Sequence, residues 1–131
     1  MVEEGLITKA SALTFPETLA RLEAALPERG MTLFARVDHA EGAEEVGMEL
    51  PPTTVLIFGS PRGGTPLMQR AQSIGLELPL KILVFEDASG KTWVSYDDPT
   101  WLARRFGIDP TLAPIAAMST ALAALTEAAR G

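Results

Sequence analysis

The sequence contains no cysteine. That excludes disulfides, thiolate catalysis and cysteine-ligated zinc or iron–sulfur centres. It contains one histidine, His39, so a multi-histidine metal site would need more than one chain. Long apolar runs are absent as well. None approaches the roughly 18 residues that a spanning helix requires, so no membrane span is expected. Basic residues are the minority, 11 against 17 acidic, and the net charge is −6. This balance speaks against the basic footprint of a nucleic-acid-binding protein. The first five residues, Met1-Val2-Glu3-Glu4-Gly5, lack the basic-then-apolar layout of a leader, and a cytoplasmic location is the expectation.

What remains is ordinary globular material. Hydrophobic residues make up 47% and charged residues 21% of 131, which argues against disorder. A chain of this length buries about two thirds of its surface on folding, enough for one core. No repeat or linker divides it, so residues 1–131 are read as a single domain.

The periodicity predicts β-α-β-(short α)-β-α-β-β-α-α. Gly5–Ala10 reads as a strand. Thr14 and Glu17 form a capping box ahead of a stripe of Phe15, Leu19, Leu22 and Leu26, a helix ending near Pro27. Met31, Leu33, Ala35 and Val37 alternate with other residues, which predicts a strand with one apolar face. Asp38 is placed to cap a short helical turn over 40–47. Thr53–Phe58 is a β-branched, apolar run expected to be a central strand. Thr65-Pro66 is expected to open a helix reaching about Ile74, after a loop over 59–64. Leu80–Glu86 and Lys91–Tyr96, joined by Ala88-Ser89-Gly90, form the clearest hairpin. A short helix follows Asp98-Pro99. Asp109-Pro110 is expected to start the last helix, whose core stripe is Leu112, Ile115, Met118, Leu122 and Leu125. Five mostly meandering strands with helices on one face make an α+β domain.

The ordered blocks Asp38-His39-Ala40, Gly47-Met48-Glu49-Leu50, Phe58-Gly59-Ser60-Pro61, Leu78-Pro79-Leu80-Lys81 and Trp93-Val94-Ser95-Tyr96 resemble the domain-of-unknown-function 302 family of small bacterial and archaeal proteins. The resemblance covers about residues 5–129. It implies a curved antiparallel sheet of about five strands with helices on one face, like one repeat of the TATA-binding protein, and a homodimer. It implies no activity, and a shared fold with a DNA-binding protein is no reason to expect DNA binding.

Two places could carry function. Gly59-Ser60-Pro61-Arg62-Gly63-Gly64-Thr65 follows a strand and opens a helix. Amides at such a helix start favour an anion, and Arg62 could add a bidentate contact. The lysine of a P-loop is missing. Gly59, Ser60, Arg62, Gly63, Gly64 and Thr65 are therefore the candidate ligand-binding residues, with a plain glycine turn capped by Thr65 as the simpler reading. The second place is the strand end Asp38-His39. His39 is the side chain whose ordinary pKa suits proton transfer near neutrality. It is a candidate acid–base group, with Asp38 beside it, and a candidate metal ligand with Glu41, Glu44, Glu45 and Glu49 nearby. The simpler reading of those glutamates is a solvated helix face. A Ser–Lys pair from Lys81 and Ser95 is a weaker thought, and Trp93 and Tyr96 are expected in the core or a dimer contact.

The expected function is a homodimeric binding protein for a small, perhaps anionic, ligand, held between the Gly59–Thr65 loop and the Asp38-His39 strand end. The alternatives are an enzyme using His39, and a structural or adaptor protein. No cofactor is implied.

Overall fold

A computed structural model describes residues 4–131, so Met1, Val2 and Glu3 of the acidic N-terminal segment lie outside the described residues. The strands are β1 (Leu6–Ala10), β2 (Thr32–Asp38), β3 (Thr53–Gly59), β4 (Leu80–Glu86) and β5 (Thr92–Asp97). The helices are α1 (Phe15–Glu28), α2 (His39–Glu45), α3 (Pro61–Arg70), α4 (Pro99–Arg105) and α5 (Ala113–Arg130), with a 3-10 turn at Gln72–Glu77. The strands form one sheet in the order β1-β5-β4-β3-β2, and every pairing is antiparallel. This is the expected α+β class. The strands β2 to β5 run as a meander, and β1 adds at the far edge beside β5. Because β1 and β2 are opposite edges, α1 carries the chain across the sheet's full width. The central strand is β4; β3 lies one place from the edge.

Burial alternates along the inner strands. Leu56 and Phe58 of β3, Ile82 and Val84 of β4, and Val94 of β5 are fully buried. They meet Leu22 and Leu26 of α1 and Ile115, Leu122 and Leu125 of α5 in one hydrophobic cluster. Burying each such side chain stabilises the fold by about 1.5–3 kcal/mol. The helices are placed by local chemistry. The Thr14 hydroxyl accepts from Glu17 N at 3.3 Å and donates to the Glu17 carboxylate at 2.9 Å, as the capping pair requires. Gly30 ends the α1 segment at φ +70°.

Three expectations change. The apolar face read on β2 breaks at a register shift between Leu33 and Ala35. Leu33 pairs with Phe58, Ala35 with Ile57, and Phe34 is the extra residue of a bulge. Leu33 and Ala35 therefore fall on opposite faces. The helix expected from Thr65 starts at Pro61 instead. Ser60 caps it, its hydroxyl accepting from Arg62 N at 3.3 Å, and Gly63, Gly64, Thr65 and Pro66 lie inside it. Ser60-Pro61 carries the same cap-then-proline signal as Thr65-Pro66 and comes first. The last helix starts at Ala113 rather than at Asp109-Pro110. The Asp109 carboxylate is spent on a local turn, accepting from Thr111 N at 2.8 Å and from the Thr111 hydroxyl at 2.7 Å.

The β4–β5 hairpin is organised by one carboxylate. Asp87 Oδ1 accepts from Ser89 N, the Ser89 hydroxyl and Lys91 N at 2.9, 2.7 and 3.0 Å. Its Oδ2 accepts from the Trp93 indole Nε1 at 2.8 Å. These donors, the indole first and the Ser89 hydroxyl second, hold the Asp87 pKa well below the usual carboxylate range. A depressed pKa contributes stability above the ordinary value of 3.8 and loses it as pH falls below that. Asp87→Asn is therefore expected to lower the melting temperature at pH 7. Its difference from the parent chain should shrink as thermal melts are taken below pH 4; a constant difference would show that Asp87 acts through shape and not charge.

Candidate functional site

The register of β2 against β3 decides how the expected site is arranged. Asp38 pairs with Thr54 and Thr32 with Gly59. Asp38-His39 and the Gly59–Thr65 segment thus sit at opposite ends of β3, about 17 Å apart at the strand rise. They do not line one cavity. The single site expected between them divides into two.

The first is an apolar groove of about 610 Å³ at the Gly59 end. One wall is α3 with its glycines, Arg62 and Met68. Another is the first part of α5, where Pro114, Ala117 and Ala121 present little side chain. Met31, Phe34, Leu78 and Pro79 close the rest. Every residue expected to bind a ligand (Gly59, Ser60, Arg62, Gly63, Gly64 and Thr65) lines this groove.

The reason for the glycines differs from the expected one. None of Gly59, Gly63 and Gly64 takes the left-handed conformation, so no turn demands them. They matter for the side chains they lack. A Cβ on Gly64 would meet Leu78 at 3.4 Å and Met68 at 3.7 Å. One on Gly59 would meet Pro79 at 3.6 Å and Phe34 at 3.9 Å. Larger side chains at these two positions would project into the groove. The bulge supplies the fourth side: the extra residue, Phe34, is 54% exposed and reaches to within contact of Gly59.

The helix start is not an open anion cradle. Pro61 has no N–H, Arg62 N is bonded to the Ser60 hydroxyl, and Gly63 N and Gly64 N both reach the Ser60 carbonyl, at 3.0 and 3.2 Å. The first-turn donors are already used. Positive charge at the groove comes from the exposed guanidinium of Arg62 instead.

The second site is a shallow bowl of about 940 Å³ on the other face of the sheet, which α1 and α5 leave uncovered. His39 is exposed at its rim, beside Val55. Asp38 does not orient it: its carboxylate accepts from Glu41 N at 2.9 Å and caps α2. Among the described residues, no three histidine, aspartate or glutamate side chains converge to hold a metal ion. Ser95 and Lys81 do not form a nucleophile pair. The Ser95 hydroxyl is bonded to that of Thr8 at 2.7 Å, and Ser95 stands opposite Leu83. Trp93 lines the bowl, whereas Tyr96 is buried in the helix-covered core.

Reasoning from residues alone missed Met31, Phe34, Pro79, Ala117 and Ala121 in the groove and Asp97 in the bowl. Asp97 could have been found, because it follows Trp93 and Ser95 at a spacing of two. The groove residues come from four separate segments, and only the folded topology joins them.

Comparison with known proteins gives a consistent family picture. The family model described as "Domain of unknown function DUF302" matches residues 7–129. A solved structure, an uncharacterised conserved DUF302 protein from Bacillus stearothermophilus, superposes with a TM-score of 0.86 at 25% identity, covering 98% of this chain and 100% of that one. Among curated proteins, one from Brucella suis named fluoride-specific ion channel FluC 1 is 44% identical over all of this chain. A Brucella abortus protein of the same name is also 44% identical over the full chain. The match covers 52% and 49% of those proteins, so the chain spans about half the length of the curated relatives it matches. No helix among the described residues is long and apolar enough to cross a membrane.

One prediction follows from α3 itself. Gly63 is exposed within the helix, and a Cβ there meets nothing within 4 Å. Gly63→Ala should raise unfolding free energy by about 0.5–1 kcal/mol, read from denaturant melts. A loss of stability would mean that the α3 backbone departs from helix at this residue.

Proposed function

This chain belongs to the DUF302 family, and we propose that it is a binding module whose ligand is a compact apolar molecule carrying one acidic group. The observation that carries this reading is the groove: about 610 Å³, walled by Met31, Phe34, Met68, Leu78 and Pro79, with Arg62 the charged residue among those that line it. Its size falls in the range of small-molecule sites, and its mainly apolar lining is typical of them. Apolar surface supplies most of the affinity. Arg62 selects the charge and orients the molecule with its acidic end outward, where the guanidinium keeps its water. A fully buried acid has no donor in the groove to meet it, since the first-turn amides are spent. A homodimer would leave this site complete within each copy, because every lining residue belongs to one chain.

The test uses a fluorescent apolar anion, 1-anilinonaphthalene-8-sulfonate, displaced by straight-chain carboxylates of six to ten carbons. Displacement should strengthen with each added methylene by about 0.8 kcal/mol until the groove is filled. Arg62→Met should weaken the carboxylates several-fold and leave the matching alcohols unchanged. Gly64→Leu should abolish binding of both. Displacement that ignores chain length and both substitutions would refute the groove as the site.

A second reading is favoured by one observation, the full-length match to half of proteins named as fluoride-specific ion channels. A channel must cross a bilayer, and the described residues of this chain contain no helix able to do so. On this reading the matched half is a peripheral module, and the unmatched half of those relatives forms the pore. Deleting the gene for this chain should then make cells more sensitive to fluoride in growth assays, with restoration by the intact gene. Unchanged sensitivity would remove this reading and leave the groove proposal standing.

A further inference from the structure

The uncovered sheet face is laid out as a grid. At one end, Leu6 pairs with Asp97. In the register that sets Leu83 opposite Ser95, Lys81 falls beside Asp97. In the middle, Thr8 pairs with Ser95 and Leu83 with Val55. At the other end, Trp93 pairs with Phe85. All these residues except Leu6 lie on elements whose opposite face forms the helix-covered core, and all of them line the same bowl.

The two ends differ in chemistry. Among the described residues, neither Lys81 nor Asp97 forms an ion pair with any group. Asp97 has no side-chain hydrogen bond there either, although it is half-buried. Burial raises its pKa, Glu77 raises it further, and Lys81 and Arg105 oppose them. A carboxylate and an ammonium thus stand side by side on an apolar floor, each without a close partner. Such a pair is costly to cover with an apolar surface and cheap to cover with a matching pair. The aromatic end is fixed in advance. The Trp93 indole is held by its bond to Asp87 at 2.8 Å, and the Lys91 ammonium lies 4.6 Å from its ring centre. A ring bound there meets a cross-strand aromatic pair that needs no rearrangement. Two residues of strand separate the ends, about 7 Å.

We propose that this bowl is a second binding site, distinct from the groove, and that it takes a small aromatic zwitterion of the amino-acid type. The ammonium lies against Asp97, the carboxylate against Lys81, and the ring rests on Trp93 and Phe85. The length from the charged head of an aromatic amino acid to its ring matches the separation of the two ends. A ligand with a single charge satisfies one protein group and leaves the other covered and unpaired. The hydroxyl pair Thr8–Ser95 borders the middle of the ligand, and the exposed His39 stands at the rim.

The experiment is calorimetric titration of the whole chain at pH 7 with L-phenylalanine, phenethylamine and phenylacetate, with light scattering on a size-exclusion column alongside. L-Phenylalanine should bind saturably, and each single-charge analogue at least about tenfold more weakly. Asp97→Asn and Lys81→Met should each cost about tenfold, and Trp93→Leu should weaken the ring contact. Arg62→Met, in the groove, should change nothing, which separates this site from the carboxylate site proposed above. Should a variant fail to fold, the two analogues on the unaltered chain still decide. No saturable heat with L-phenylalanine up to about 10 mM, or binding indifferent to both charges, overturns the proposal. A tight dimer that blocks L-phenylalanine and is loosened by Lys81→Met also overturns it, assigning the face to a second copy.

Discussion

One layer of helices covers a sheet that has two faces, and most features of this molecule follow from that imbalance. Leu56, Phe58, Ile82, Val84 and Val94 point to one side and disappear beneath α1 and α5. The period of a strand then sends the intervening residues to the other side, where no helix lies over them. Those residues are neither a polar surface nor a core. Val55, Leu83, Phe85 and Trp93 are partly buried, and among them stand Lys81, Ser95 and Asp97. A sheet face of this mixed kind fits neither plain solvation nor a hydrophobic second layer.

The groove arises differently, from material left out rather than material exposed. At the Gly59 end, glycines and alanines occupy positions where larger residues would let α3 close on α5. The helix α3 is poorly suited to its own conformation, with two glycines and an internal proline. Its hold on the rest is concentrated in Leu67, its one fully buried residue. Local helix preference is given up where the cavity is kept, an arrangement more often found where a site must be preserved than where a fold must be strong.

The elements that could be read in the sequence were those in which local preference and tertiary packing agree. The Thr14–Glu17 cap, the Leu22 and Leu26 stripe, the β4–β5 hairpin and the apolar side of α5 are of this kind. The failures have a common cause. Strict alternation over Met31–Val37 cannot reveal a bulge, because an extra residue leaves hydrophobicity unchanged while reversing the face. Ser60-Pro61 and Thr65-Pro66 carry the same start signal, and only packing chooses between them. The strand end at Asp38-His39 and the segment from Gly59 were both visible as unusual. That they belong to different ends of one strand depends on the β2–β3 register, a property of two strands together. Lys81, Ser95 and Trp93 were each visible, but Asp97 became their neighbour only through pairing of β1, β4 and β5.

The bulge at Phe34 has an effect on the outer side of β2 as well. This strand is a sheet edge, and an edge presents a row of unpaired backbone groups on which another chain can grow. Six of the seven residues from Thr32 to Asp38 are exposed, among them Leu33, Phe34 and Val37. A flat, regular edge of that composition would invite runaway self-association. The extra residue breaks the even spacing of donors and acceptors after the second position, so an incoming strand finds no continuous ladder to copy. The irregularity that aims Phe34 toward the groove also keeps this edge from acting as a seed.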